Sequence, residues 1–168
     1  MTKNNEVKIM DELLKILKSN ALESDKNIAK MLSLSEADIV ARKKVYEESG
    51  VILGYQAILN EDKLDTELVR AIIGVKITPV RDGGFDKIAT QISRFDEVEN
   101  CYLVSGSFDL IAVLRAKNLK GIARFVSEKL SMIDGVLSVE THFMLKVYKD
   151  KGILAEEEAI SERLQVSP

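Results

Sequence analysis

The chain has 168 residues, with 24 basic and 27 acidic side chains, a net charge of −3, 46% hydrophobic residues and two prolines. That composition excludes a disordered or low-complexity chain and leaves room for one domain or two small ones. The charge excludes a uniformly basic nucleic-acid binder, so any grip on DNA has to come from local positive charge. A single cysteine, Cys101, excludes an internal disulfide. No apolar run reaches the roughly 18 residues that span a bilayer, and Met1–Asn5 does not read as a signal peptide. A cytoplasmic location with no membrane partner is expected.

Taken in chain order, the first predicted helix carries Val7, Met10, Leu13, Leu14 and Leu17 on one stripe. Ser24 or Asp25 caps a second helix whose inward face is Ile28, Ala29, Met31 and Leu32. Leu34 fills a turn. Ser35 then caps a third helix, with Asp38 where a capping box usually has Glu. Ile39, Arg42 with Lys43, and Tyr46 follow at helical spacing, and Gly50 marks the stop. Val51–Leu59 is β-rich, interrupted by Gly54, and suits a wing or a connecting strand. Asn60–Thr66 is polar. The predicted organisation is a winged helix-turn-helix over 1–60, a linker over 61–69 and a second domain over 70–168.

The second domain predicts a strand over Ala71–Val80, a helix over Phe85–Phe95, and strands over Val98–Val104 and Phe108–Leu114 joined by Ser105-Gly106-Ser107. A helix over Leu119–Met132, a long strand over Val136–Tyr148 and a short acidic helix over Ala155–Leu164 complete it. The order βαββαβ is the split βαβ arrangement of a ferredoxin-like sandwich. The segment repeats itself at an offset of about 37–38 residues. Ile72-Ile73-Gly74-Val75 answers Leu110-Ile111-Ala112-Val113, and Phe95-Asp96-Glu97-Val98 answers Ile133-Asp134-Gly135-Val136. The fold class is therefore α+β. On the last strand both faces carry apolar residues, so the sheet calls for a partner, most simply a second copy.

The helix-turn-helix order makes double-stranded DNA the expected partner, with the third helix in the major groove. Arg42, Lys43 and Lys44 supply charge on that helix, Lys26 and Lys30 on the second helix can hold the backbone, and Ser35 with the helix N-terminus can meet a phosphate. Glu36 and Asp38 oppose this, and residues 1–60 hold nine basic against nine acidic side chains. The competing reading is a three-helix bundle whose charges are merely solvated. In the second domain the turn Ser105-Gly106-Ser107-Phe108-Asp109 offers backbone N–H groups near a carboxylate, a pairing that matches an α-amino acid zwitterion. The competing reading is that Gly106 serves the turn and Asp109 caps it or pairs across the sheet. No Cys or His pair has metal-ligand spacing, no phosphate loop is present and no nucleophile has a base beside it, so no metal, cofactor or catalytic residue is expected.

Together the two halves resemble the Lrp/AsnC family, the feast/famine transcription regulators. The resemblance is carried by Ile28–Ser35, Glu48–Ala57, Val104–Asp109, and Ile133–Val136 followed by Glu140-Thr141. It implies a winged helix-turn-helix, a ferredoxin-like effector domain, homodimers formed through the sheets, and octamers built from four dimers. It also implies an amino-acid effector held between dimers, with Gly106 and Asp109 lining the pocket and Val104, Ser107 and Thr141 beside them. The chain departs from the family where Val40, Ala41 and Val45 replace common basic residues, and where the turn reads Ser-Gly-Ser-Phe-Asp instead of the more frequent Thr-Gly-Asp-Tyr-Asp. The expected function is an effector-responsive, DNA-binding transcription regulator. The alternative is an assembly protein of the same build that lacks effector response or DNA binding. Some relatives of this fold decarboxylate a tetrapyrrole; one histidine and no recognisable basic, aromatic-lined pocket argue against an enzyme here.

Overall fold

The computed structural model describes residues 11–65, 68–78 and 84–155. The chain divides into two compact units, Met1–Ala57 and Ile58–Pro168.

The first unit is three helices: α1 (Glu12–Ser19), α2 (Asp25–Leu32) and α3 (Glu36–Glu48). Each starts on a side-chain cap. Asp11 accepts from the Leu14 N–H, Ser24 from Asn27 and Ser35 from Asp38. The helices are short, so packing rather than propensity holds them. Leu13, Leu17, Ile28, Ala29 and Ile39 form the core, with Ile16, Leu32, Leu34, Tyr46 and Ile52 against it. Met31, expected on the inward face, is 62% exposed. Ser33, at the end of α2, takes a left-handed conformation (φ 54°) and reverses the chain into α3. Val7 and Met10 lie outside the described residues.

The wing strand expected over Val51–Leu59 forms no ladder here. A strand needs a neighbour for its backbone groups, and nothing in the described residues pairs with this stretch. Only its start is anchored: the Ile52 N–H donates to the Tyr46 carbonyl at 3.0 Å and the Tyr55 hydroxyl to Glu47 Oε1 at 2.9 Å.

The second unit has the elements β1 (Val69–Ile77), α4 (Asp86–Ser93), β2 (Val98–Leu103), β3 (Leu110–Ala116), α5 (Leu119–Glu128) and β4 (Val136–Phe143). The sheet order is β2-β3-β1-β4, all neighbours antiparallel. This is the ferredoxin-like topology. Ala71, Ile73, Val75 and Ile77 face the helices beside Leu110, Ala112 and Leu114. Ile88 and Ile92 of α4, Ile122 and Phe125 of α5, then Leu130 and Ile133 complete the core. The internal repeat is a repeat of geometry. Val98 and Val136 each donate to the residue three back, Phe95 and Ile133, at 2.9 and 3.1 Å. The residues between, Glu97 and Gly135, accept from Arg115 and Thr78 at 2.9 and 2.8 Å.

β4 is shorter than expected. Its last link to β1 is the Met144 N–H on the Arg70 carbonyl at 3.0 Å, and β1 begins one residue earlier. The register puts Val69, the first residue of β1, opposite Leu145, so Lys146 and Val147 lie past the end of that strand, and the chain turns into a small hairpin, β5 (Lys149–Asp150) with β6 (Ile153–Leu154). The stretch expected to link the domains instead carries a 3-10 turn, Glu61–Lys63, tied to β1 by the ion pair Arg70 Nη2–Glu61 Oε1 at 2.9 Å. The acidic helix expected from Ala155 lies outside the described residues beyond Ala155 itself, and so does the turn over 79–83.

Candidate functional site

Two places in the fold gather the sequence-predicted residues. The first is the α2–α3 surface. Lys26, Lys30, Arg42 and Lys44 are all exposed. Among the described residues no ion pair engages Lys26, Lys30 or Arg42, whereas Lys44 lies 3.8 Å from Glu48. Lys43 is different. Its ammonium sits 2.9 Å from Asp25 Oδ1, and both side chains are largely covered. That bond with Asp25 raises the Lys43 pKa. Lys43 thus clamps the middle of α3 to the first turn of α2 and fixes the angle between them.

Ser35 is equally engaged. Its hydroxyl accepts from the Asp38 N–H at 3.1 Å and donates to Asp38 Oδ2 at 2.6 Å, while the Ser35 N–H reaches the same carboxylate at 3.3 Å. These bonds from Ser35 hold the Asp38 carboxyl below its ordinary range. The acidic start of α3 is therefore a capping device, and it also suits the positive end of the helix dipole. Sequence reasoning missed one further tie. The Tyr46 hydroxyl donates to Asp11, the residue that caps α1. Burial, then this bond, pushes the Tyr46 pKa up to about 12. Asp11 followed by two residues and Leu14 is a cap signal; its partnership with Tyr46 leaves no local trace.

The second place is the turn between β2 and β3. Ser105, Gly106 and Ser107 are exposed, and Gly106 has φ +142°, a value that suits glycine. Val104 and Asp109 close the turn, Val104 N–H to Asp109 carbonyl at 2.9 Å. Asp109 is half-buried. Its N–H donates to the Val75 carbonyl at 3.0 Å, and its Oδ2 accepts from the Ile77 N–H at 2.9 Å. The carboxylate therefore pins the turn to the end of β1, where the β1–β4 register shifts between Lys76 and Ile77. Thr141 sits on β4 opposite Ile73, half-buried on the helix-covered side and across β1 from the turn. Phe108 lies over Gly74: a Cβ on that glycine would come within 2.7 Å of the ring. Gly74 in the middle of a strand was the signal for this contact, since an interior glycine marks close approach.

The face of the sheet away from the helices carries Ile72, Tyr102, Ile111 and Val113, with Tyr102 53% exposed. Arg70, Glu99 and Arg115 form an ion-paired edge to it, at 3.1 Å from each arginine Nε to Glu99. Among the described residues there is no cluster of His, Cys, Asp or Glu able to hold a metal ion. No helix there is long and apolar enough to cross a membrane.

A family model described as the Lrp/AsnC ligand binding domain matches residues 70–154. The HTH-type transcriptional regulator YugG of Bacillus subtilis (strain 168), itself uncharacterised, is 42% identical over 158 residues, which cover 94% of this chain and 95% of that protein. The chain belongs to the Lrp/AsnC family. The HTH-type transcriptional regulator LrpA of Pyrococcus abyssi is 36% identical over 127 residues, 76% of this chain and 87% of its own length. Among solved structures, the L-methionine complex of a transcriptional regulator from Neisseria meningitidis has the same fold, with a TM-score of 0.66 at 23% identity over 84% of this chain and 94% of that one. This Lrp/AsnC protein is thus a transcription regulator with a helix-turn-helix unit and the family's ligand-binding domain.

Proposed function

We propose that this regulator acts in the cytoplasm, that α3 enters the major groove of duplex DNA, and that an amino acid or similar small effector at the Val104–Asp109 turn sets its assembly. Lys26, Lys30 and Arg42, exposed and outside ion pairs among the described residues, are the phosphate contacts; Lys44 joins them by leaving Glu48. Ser35 and Lys43 act indirectly, by fixing the start and the angle of α3. The apolar sheet face of Ile72, Tyr102, Ile111 and Val113 is covered by a second copy, giving a dimer that associates further into an octamer. The observation that carries this reading is one chain joining a helix-turn-helix unit to an Lrp/AsnC ligand-binding domain. The Neisseria meningitidis relative solved with L-methionine supports an amino-acid effector. Such an effector changes DNA affinity only through its preference for one assembly over another.

Sedimentation of the full chain with and without L-methionine and the other amino acids, paired with mobility shifts on promoter fragments, tests this. Expected is an oligomer whose size or DNA affinity shifts with one of them. A monomer indifferent to DNA and to every amino acid would overturn it. One observation favours the narrower alternative, a DNA-binding assembly without effector response: Asp109 already holds the Ile77 N–H. Effector-independent assembly and DNA binding would decide for it.

A further inference from the structure

We infer that α3 reads its operator through thymine methyl groups, with Ala37 and Ala41 at the centre of the reading face and Val40 and Val45 on its flanks. The inference rests on the groove-reading role proposed above for this helix. Ile39 is buried, and Lys43 and Tyr46 are half-covered. Spaced at i, i+4 and i+7, these three define the inward stripe of α3. The helical period then places Ala37, Ala41, Lys44 and Glu48 on the opposite, outward side, with Val40 on one flank and Val45 and Asp38 on the other. All seven are exposed, Val40 at 50% and Val45 at 57%. A helix that merely covers a bundle carries mostly charged or polar groups there. On α2 that side holds Lys26, Asn27 and Lys30, with Met31 exposed at its edge. On α3 four of the seven are Ala or Val.

The polar side chains of α3 cannot take over base reading. Asp38 is held by Ser35 and Lys43 by Asp25. The helix has no Asn or Gln to pair with adenine. Lys44, suited to guanine, is one of the phosphate contacts proposed above, and Arg42, equally suited, falls at the margin of the inward stripe, where its charge acts on Asp38 and Tyr46. From that margin it reaches phosphate rather than the floor of the groove. A base edge opposite Val40 and Ala41 meets no donor or acceptor. Thymine is the base that presents an apolar group there, its 5-methyl. Any other base at those positions loses its water without gaining a partner.

The test uses the full chain. A preferred duplex is selected from a random pool, and each thymine in it is then replaced by uracil, which removes the methyl and keeps the hydrogen-bonding edge. Expected is a loss of about three- to fivefold in affinity at each contacted thymine, the effect of one buried methyl group. Val40→Ala should bind more weakly and lose the uracil effect at one thymine of each half-site. Arg42→Ala should weaken thymine and uracil duplexes equally. Strong binding that ignores uracil everywhere, or a uracil effect unchanged in Val40→Ala and Ala41→Gly, would overturn the inference while leaving the regulator reading intact. Failure to bind any duplex would overturn both.

Discussion

Replacing Asp109 separates what the carboxylate does for the fold from what it does for a ligand. In Asp109→Ala the Ile77 N–H, on a residue only 3% exposed, loses its acceptor at 2.9 Å. A hydrogen bond to a charged group is worth about 1.5–3 kcal/mol, and the half-buried setting of Asp109 points to the lower end, about 1.5–2 kcal/mol. With a urea slope of roughly 1–3 kcal/mol per M, the unfolding midpoint should fall by about 1 M. Asp109→Asn behaves differently. Its amide oxygen still accepts from Ile77, so stability should stay within about 1 kcal/mol of the parent. It lacks the negative charge that faces an amino group in the proposed site, so calorimetry should show amino-acid affinity down at least about tenfold, or about 1.4 kcal/mol. Both measurements belong at one protein concentration, because an oligomer's stability depends on it. If Asp109→Asn is as unstable as Asp109→Ala, the Ile77 bond is not what holds the turn. If it binds its amino acid as tightly as the parent, Asp109 is not the partner of the amino group.

Other outcomes follow from the same geometry. Gly74→Ala places a Cβ 2.7 Å from the Phe108 ring and should cost about 1–3 kcal/mol in urea unfolding, a cost that Phe108→Ala in the same chain should largely remove. Ser35→Ala removes the cap of α3 and should lower stability by about 1 kcal/mol. The raised pKa of Lys43 has a defined sign: its contribution is complete below the unfolded lysine value of 10.5 and vanishes as pH rises through the higher folded value. Tyr46, raised to about 12, loses stability in the same direction, as do Tyr55 and Cys101, so the parent should weaken more steeply in urea unfolding above about pH 10 than Lys43→Met, which lacks the lysine part.

Much of this architecture is written in local pattern. The caps at Ser24 and Ser35, the stripe Ile28-Ala29, and the alternation of Ala71, Ile73, Val75 and Ile77 each specify their element from within a few residues. The repeat places Phe95–Val98 and Ile133–Val136 in equivalent turns before any coordinate is known. What the pattern misses depends on distant partners. Val51–Leu59 has strand composition but no pairing strand among the described residues. Val136–Tyr148 reads as one strand, yet β1 starts at Val69, opposite Leu145, and Lys146 to Tyr148 lie past its end. The same limit applies at the site. Lys43 and Lys44 look alike in sequence, and only the fold sets Asp25 against one and Glu48 against the other. Asp109 reads equally well as a turn cap or a ligand group, because its bond to Ile77 spans 32 residues.

The charge of the helix-turn-helix unit bears on how an effector can work at all. Residues 1–60 are electrically neutral, nine charges against nine, so no general field draws this unit to DNA. With Lys26, Lys30, Arg42 and Lys44 as phosphate contacts, one unit supplies a salt slope of about 0.9 per contact, or roughly 3.6, and weak binding. Two units held at half-site spacing double the slope to roughly 7, and the second binding step becomes intramolecular, which multiplies affinity by about a hundredfold or more. Control of DNA affinity is then control of how many units are presented together. Lys26→Ala/Lys30→Ala should cut the dimer slope by roughly 3.6, two contacts in each of two units. An effector acting through assembly should raise or lower the slope as it changes affinity. One acting inside a single unit would shift affinity at constant slope, and a salt titration with and without L-methionine tells the two apart.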